Sequence, residues 1–209
     1  YQRQYSSCLH FLYNRISDNQ YITEKELRLL YNNINNCSLI NKWLFQCAIK
    51  EAKQIYKLHG TKAIFGGKSN YFKRNNLAIT KEEYKAKRIS SIYSIGEANY
   101  KGNRFFRLQD NFKIVFQPNR NSHHEIQLIG LGRHRAKTLS KLTELANQKK
   151  ATITYKLSSE YVWISYDEKL ISNIETPKIK NRVFAIDMNP NYIGWSIVDW
   201  KSSSTLHIM

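Results

Sequence analysis

The sequence predicts an α+β protein with a helical region over residues 1–89, a small β-barrel over residues 90–177 and a first β-hairpin of a further domain over residues 178–209. Three observations carry this prediction. In the front third, apolar residues recur at three- and four-residue steps, the period of one helix face. From residue 90 they come instead in short aromatic and β-branched runs broken by turn residues, the habit of strands. At the end, two apolar runs flank Asn189-Pro190-Asn191, which reads as a turn between two strands.

The helical region starts with a capping box, Thr23-x-x-Glu26, in front of Leu27, Leu29 and Leu30. A stronger helix is expected from about Ser38 to His59. Its apolar face is Ile40, Trp43, Leu44, Cys47, Ala48, Ile55 and Leu58, and its other face carries Lys42, Lys50, Lys53 and Lys57. The Asn-rich stretch Asn32 to Asn36 joins the two as a helical hairpin or a helix-turn-helix. Phe65-Gly66-Gly67-Lys68-Ser69-Asn70-Tyr71-Phe72-Lys73-Arg74 mixes glycines, amides, aromatics and cations, and is expected to be a loop that follows a phosphate backbone. It lacks the Gly-x-x-x-x-Gly-Lys-Ser spacing of a P-loop. A second capping box, Thr80 with Glu83, opens a short helix with Lys81, Lys85, Lys87 and Arg88 exposed.

In the β region, Phe105 to Leu108 and Phe112 to Phe116 read as strands around the turn Asp110-Asn111, and Ile126 to Ile129 as another. Ala136, Leu139, Leu142, Leu145 and Ala146 mark a helix over Arg135 to Gln148. Thr152 to Leu157 and Tyr161 to Tyr166 form a hairpin through Ser158-Ser159-Glu160. Several short strands with one inserted helix predict the barrel. Pro177 to Asn181 reads as a basic linker, and Arg182 to Trp200 as the final pair of strands.

Charge narrows the function. Thirty-three Lys and Arg face 16 Asp and Glu, giving a net charge of +17 and a pI near 9.8. Such a surplus repels itself, and a polyanion relieves that cost. Nucleic acid fits, because neutralised phosphates release their counterions. No apolar run approaches the 18 or so residues of a membrane span, and the cations are interleaved with aromatics, so a membrane partner is not expected. A hydrophobic content of 42% supports packed cores and excludes a disordered basic tail. Of the 14 Tyr, 9 Phe and 4 Trp, most are expected in those cores, the remainder being available to stack on bases. Cys8, Cys37 and Cys47 contain no Cys-x-x-Cys pair, so neither a disulfide framework nor a zinc site is expected of this segment. The absence of a secretory signal points to a cytoplasmic location. The chain opens at Tyr1 without an initiator Met, so a preceding segment is expected.

The run Val183-Phe184-Ala185-Ile186-Asp187-Met188-Asn189-Pro190-Asn191-Tyr192-Ile193-Gly194-Trp195-Ser196-Ile197-Val198-Asp199 carries the most chemistry. A single carboxylate ends an apolar strand, and burying it unpaired costs several kcal/mol. A divalent metal is one natural partner. A plain turn cap on the Asn-Pro-Asn bend is the other reading. The hairpin resembles the first strand pair of the RNase H superfamily; a rival resemblance is to the phosphate-binding hairpin of sugar kinases and actin-like ATPases, which usually begin with it. Here some 180 basic-rich residues precede it.

That order, with Tyr93-Ser94-Ile95-Gly96-Glu97 and Lys101-Gly102-Asn103-Arg104 in the barrel, resembles the TnpB-type transposon-encoded nucleases and their relatives, the type V CRISPR effectors. The resemblance implies a helical recognition lobe, a wedge-like barrel and a RuvC domain, with guide-type RNA and target DNA as partners and a prokaryotic or phage source. It implies that Asp187 is catalytic and a Mg2+ ligand. The family's later Glu, second Asp and zinc ribbon find no counterpart before Met209. The chain by itself is therefore expected to bind and not to cut, with a stand-alone RNA- or DNA-binding regulator as the alternative. Asp199 is not expected to be the missing ligand, because it alternates with Ile197. Lys68, Lys73, Arg74, Lys101, Arg104, Arg133, His134 and Arg135 are the candidate phosphate contacts, with Tyr71 and Phe72 as stacking groups. Arg133 to Arg135 stand at a helix start, where backbone amides favour an anion.

Overall fold

Thr23 and Glu26 close the predicted capping box: the Thr23 backbone N–H donates to Glu26 Oε2 at 2.8 Å, and the Glu26 N–H donates to Thr23 Oγ1 at 3.2 Å. The computed structural model that shows this describes residues 1–34, 40–171, 182–189, 192–199 and 204–208. The chain divides into two units, Tyr1–Ile171 and Ser172–Met209.

In the first unit α1 (Gln2–Asp18), α2 (Glu24–Ile34) and α3 (Lys42–His59) come first. Tyr5, Cys8, Leu9, Leu12, Tyr13 and Ile16 form the buried stripe of α1, and it packs along α3. Helix α3 starts at Asn41, whose side chain accepts from the Trp43 N–H; Ser38 lies outside the described residues. Its buried face is wider than its sequence period implies, because Phe45, Ile49 and Ala52 join Leu44, Cys47 and Ala48 between α1 and the sheets. Leu58, at the far end, is 70% exposed, and of Leu27, Leu29 and Leu30 only Leu27 is buried. Lys42, Lys50, Lys53 and Lys57 all face outward.

The expected loop at 65–74 is a helix over most of its length. Gly66 and Gly67 take φ of 89° and 86°, a region only glycine enters cheaply, and Gly67 caps α4 (Lys68–Asn75). The eight residues that follow contain no Gly or Pro to stop the helix. Asn70 Nδ2 donates back to the Gly66 carbonyl at 2.7 Å. Helix α5 (Lys81–Lys87) has the full Thr80–Glu83 capping box, with Lys81, Lys85, Lys87 and Arg88 exposed.

The β part consists of β1 (Ile92–Ser94), β2 (Gly96–Glu97), β3 (Gly102–Asn103), β4 (Phe106–Gln109), β5 (Lys113–Asn119), β6 (Ser122–Gln127), α6 (Arg133–Asn147), β7 (Thr154–Leu157) and β8 (Val162–Ser165). The β7–β8 hairpin forms as predicted, and the Ser158 N–H donates to the Tyr161 carbonyl. No barrel closes among the described residues. The strands make separate antiparallel sheets in the orders β1-β7-β8, β4-β5-β6 and β2-β3. Where these sheets meet, the Asn103 side chain bonds to backbone in place of a continuing ladder.

Asn103 is fully buried. Its Oδ1 accepts from Ser94 Oγ at 2.9 Å and from the Phe105 and Phe106 N–H groups at 3.0 and 3.2 Å. Its Nδ2 faces the carbonyls of Ser94, Ile95 and Ile153, each at 3.1 Å. The carboxamide thereby joins β1, the start of β4 and the approach to β7. Gly96, opposite Asn103 in the β2–β3 ladder, lies so close to Ile153 that a Cβ would come within 2.6 Å of its backbone N. Phe106 then stacks on Phe116 of β5 at 4.6 Å and on Tyr155 of β7 at 5.0 Å, linking two sheets through one aromatic column.

Glu51 fastens the helices to this sheet system. It is 7% exposed, accepts from Tyr5 Oη of α1 at 2.8 Å and pairs with Lys156 Nζ of β7 at 2.9 Å. Burial, reinforced by the Glu51 carboxylate, holds the Tyr5 hydroxyl well above its ordinary pKa.

In the second unit, β9 (Arg182–Asn189) and β10 (Tyr192–Asp199) form the expected antiparallel pair. A strand that the sequence reading does not anticipate, β11 (Ser204–Ile208), adds to β10 in the order β11-β10-β9. The turn residues 190 and 191 and the linker 177–181 lie outside the described residues.

Two stability predictions arise here. Asn103→Ala strands several buried backbone groups and is expected to cost about 3 kcal/mol or more in urea denaturation, whereas Ser94→Ala costs about 1 kcal/mol. The second concerns His10, whose Nε2 is buried without a hydrogen-bond partner among the described residues and whose ring lies 3.8 Å from that of Phe65. Burial, and then the Arg88 charge, lower its pKa from 6.5 to about 4. Between those values the unfolded chain binds more protons, so stability is expected to fall as pH drops from about 6.5 to about 4. His10→Phe should flatten that part of a denaturation midpoint–pH profile.

Candidate nucleic-acid interface

The predicted contacts separate into groups once placed on the fold. On α4, Lys68 Nζ lies 5.8 Å from the Phe72 ring centre, and Tyr71 meets Phe72 edge-on at 5.9 Å. A spacing of four residues puts Lys68 and Phe72 on one helix face. Tyr71 also approaches Tyr84 of α5 at 6.4 Å. Tyr71 and Phe72 remain 40% and 50% exposed, so their rings are open to a ligand. Lys73 is exposed and Arg74 half-buried.

A basic cavity of about 450 Å3 lies between α1 and α5, lined by Arg3, Ser6, Ser7, Lys85 and Arg88, with Glu82 as its acid. Arg3, which sequence reading passed over, lines this cavity too, because folding brings α1 beside residues 85 and 88.

Lys101 is exposed in a left-handed turn at φ 53°. Arg104 has different surroundings. Its Nε donates to Glu97 Oε2 at 2.6 Å and a terminal nitrogen to Glu97 Oε1 at 3.1 Å. Trp43 of α3 and Tyr100 lie against the guanidinium at 4.2 and 4.3 Å. This bidentate, stacked arginine ties α3 to the β2–β3 turn, and a phosphate would have to displace Glu97 to reach it. The pair holds the Glu97 carboxyl below and the Arg104 guanidinium above their ordinary pKa values.

Arg133, His134 and Arg135 occupy the exposed first turn of α6, after Gly132, which supplies no side-chain cap. His134 and Arg135 also line a groove of about 660 Å3 shared with Tyr161, Trp163 and Tyr166. These three aromatics were treated as strand residues in the sequence reading. The signal for Tyr161 and Trp163 was present: from Tyr161 into β8 their rings alternate with Val162 and Ile164, and the aliphatic set is the more buried.

Cations at these positions are largely without acid partners. Ion pairs hold Arg15, Lys53, Arg104, Lys113, Lys141 and Lys156. Among the described residues, none holds Lys68, Lys73, Arg74, Lys101, Arg133 or Arg135. No helix among them is long and apolar enough to cross a membrane. Cys8 and Cys47 are buried thiols, Cys47 with its pKa pushed up to about 11 by burial; Cys37 lies outside the described residues.

In the second unit the backbone register places Asp187 directly across from Gly194, the one residue of β10 that carries no side chain. Asp199 pairs with Arg182, and so stands at a ladder position of opposite parity to Asp187. The strand pair therefore offers one carboxylate position at the Gly194 crossing. A Mg2+ ion held there would take its other oxygen ligands from water, a substrate phosphate or further carboxylates. Among the residues whose side chains are described, no three His, Cys, Asp or Glu lie together as a metal requires.

Comparison of the chain with protein-family models, with curated proteins and with solved structures yields no match.

Arg104→Ala is expected to lower the thermal midpoint by several degrees and, if the chain is an RNA-binding protein, to leave the salt dependence of that binding unchanged. Lys73→Ala is expected to do the reverse, reducing the slope of log K against log salt by about one with no loss of stability. Thermal melts and salt-titrated binding isotherms on the same preparations separate the two.

Proposed function

We propose that this chain is the nucleic-acid-binding part of an RNA-guided, Mg2+-dependent DNA endonuclease. The observation that carries the reading is the set of exposed cations, without acid partners among the described residues, that stand beside exposed rings: Lys68 with Tyr71 and Phe72 on α4, and Arg135 in one groove with Tyr161 and Trp163. Cations alone bind any polyanion. Rings placed beside them add the base faces of nucleic acid to what is recognised. The endonuclease half rests on the resemblance of the β9–β10 hairpin to the first strand pair of a RuvC domain, with Asp187 at its catalytic position and Gly194 opposite. In that reading Asp187 is one ligand of Mg2+, and further carboxylates must join it. Guide RNA and the guide–target duplex would be held by shape and phosphate contacts, while base pairing reads the target.

The binding half is tested with structured RNA under salt titration and heparin competition. Tight binding with a steep salt slope that survives equimolar heparin supports it; equal affinity for heparin and RNA overturns it. The catalytic half is tested in the natural full-length protein with its co-purified RNA. Asp187→Ala is expected to abolish Mg2+-dependent cleavage of DNA and leave RNA affinity nearly intact. Cleavage that persists in the variant removes Asp187 from the metal site.

A further inference from the structure

Folding leaves the rings of one groove unburied. The groove, about 660 Å3, runs between the segment after β6, the start of α6 and strand β8. On its walls Tyr161, Trp163 and Tyr166 stay 63%, 50% and 37% exposed, and Ile129 86%. The Tyr161 and Trp163 rings lie 6.0 Å apart with their planes tilted by 52°. Strand β8 is the edge of the sheet β1-β7-β8, so among the described residues no further strand pairs beside them. Contiguous aromatic surface of this kind left in water marks a binding face.

We propose that this groove stacks the bases of an unpaired stretch of nucleic acid, RNA foremost, while Arg135 takes its phosphate backbone. The proposal rests on the nucleic-acid-binding reading above and assigns the groove its substrate class. Charge selects the occupant. Arg135 and His134 line the groove with Glu160 as its acid, Arg133 adjoins them, and among the described residues no ion pair holds either arginine. The chain as a whole carries +17. An apolar peptide would cover the rings and leave those cations uncompensated. Strandedness is selected by geometry: a duplex keeps its base faces inside the stack, and only an unpaired strand offers them to Tyr161 and Trp163. Because every base has a π-face, recognition here tolerates sequence.

The test uses a fluorescent oligouridylate of about 12 nucleotides, within the span that such surfaces occupy, and an RNA duplex of the same length, both followed by anisotropy. Trp163→Ala is expected to weaken the oligouridylate by roughly tenfold or more, and Tyr161→Ala in the same chain to weaken it further. Trp163→Phe retains a ring and most of the affinity, and duplex binding is unchanged throughout. Arg135→Ala lowers the salt slope by about one, whereas Trp163→Ala leaves it alone. On the unmutated protein, a 4-thiouridine-substituted strand should photocrosslink to the peptide containing Tyr161 and Trp163. If the wild type binds oligouridylate, Trp163→Ala binds it as tightly and the crosslinks fall elsewhere, the groove assignment is overturned and the nucleic-acid reading stands. If the wild type binds neither RNA, both fall. Oligothymidylate bound as well as oligouridylate supports stacking that needs no 2′-hydroxyl.

Discussion

A carboxamide sealed from water must satisfy its hydrogen bonds within the protein, and Asn103 does so with six neighbours at 2.9 to 3.2 Å. Three of them are backbone carbonyls and two are backbone N–H groups, drawn from β1 and the residue after it, the start of β4 and the approach to β7. Strands β2 and β3 have two residues each, too few to weld these pieces by a ladder. The side chain supplies what the ladder cannot. The close approach of Gly96 to Ile153 and the φ of +91° at Gly102 are consequences of gathering that much backbone around one amide.

The rest of the first unit hangs from this junction. Arg104, the next residue, clasps Glu97 and is covered by Trp43, which brings α3 against it. The Ile95 N–H reaches Cys47 Sγ of α3 at 3.5 Å. Glu51, one helical turn further along α3, binds Tyr5 and Lys156 and so adds α1 and β7. A buried carboxylate is costly when unpaired, and two charge-assisted or phenolic donors offset that cost here. The stretches Tyr93 to Glu97 and Lys101 to Arg104 thus act as structural parts, Lys101 alone among them being exposed.

Electrostatics then divides the arginines and lysines by task. Those that neutralise a carboxylate, such as Arg104 and Lys156, hold elements together. Those at the helix surfaces, such as Lys68, Arg133 and Arg135, are held by no ion pair among the described residues and add to the net positive field. The proposed function draws on the second kind, and on the aromatic rings that share their surfaces.

Much of this was legible in sequence. Both capping boxes, the α3 amphipathic face, α6, the β7–β8 hairpin and the β9–β10 pair follow from local chemistry, since caps, turns and periodicity act over a few residues. So does the net charge, which folding does not alter. Sequence also placed Asp187 near a close backbone approach, and the register sets Gly194 across from it. What only the tertiary structure decided involves residues far apart in the chain. Periodicity cannot show that Phe65 to Arg74 is mostly helix, because two glycines outweigh the eight helix-competent residues after them in a composition reading. It cannot show that small open sheets replace a barrel, because that depends on which distant strands pair, such as Ile92 with Leu157. Nor can it tell a locked Arg104 from a free Arg135: two arginines are alike in sequence, and only the carboxylate and rings that folding brings beside one of them distinguish their roles.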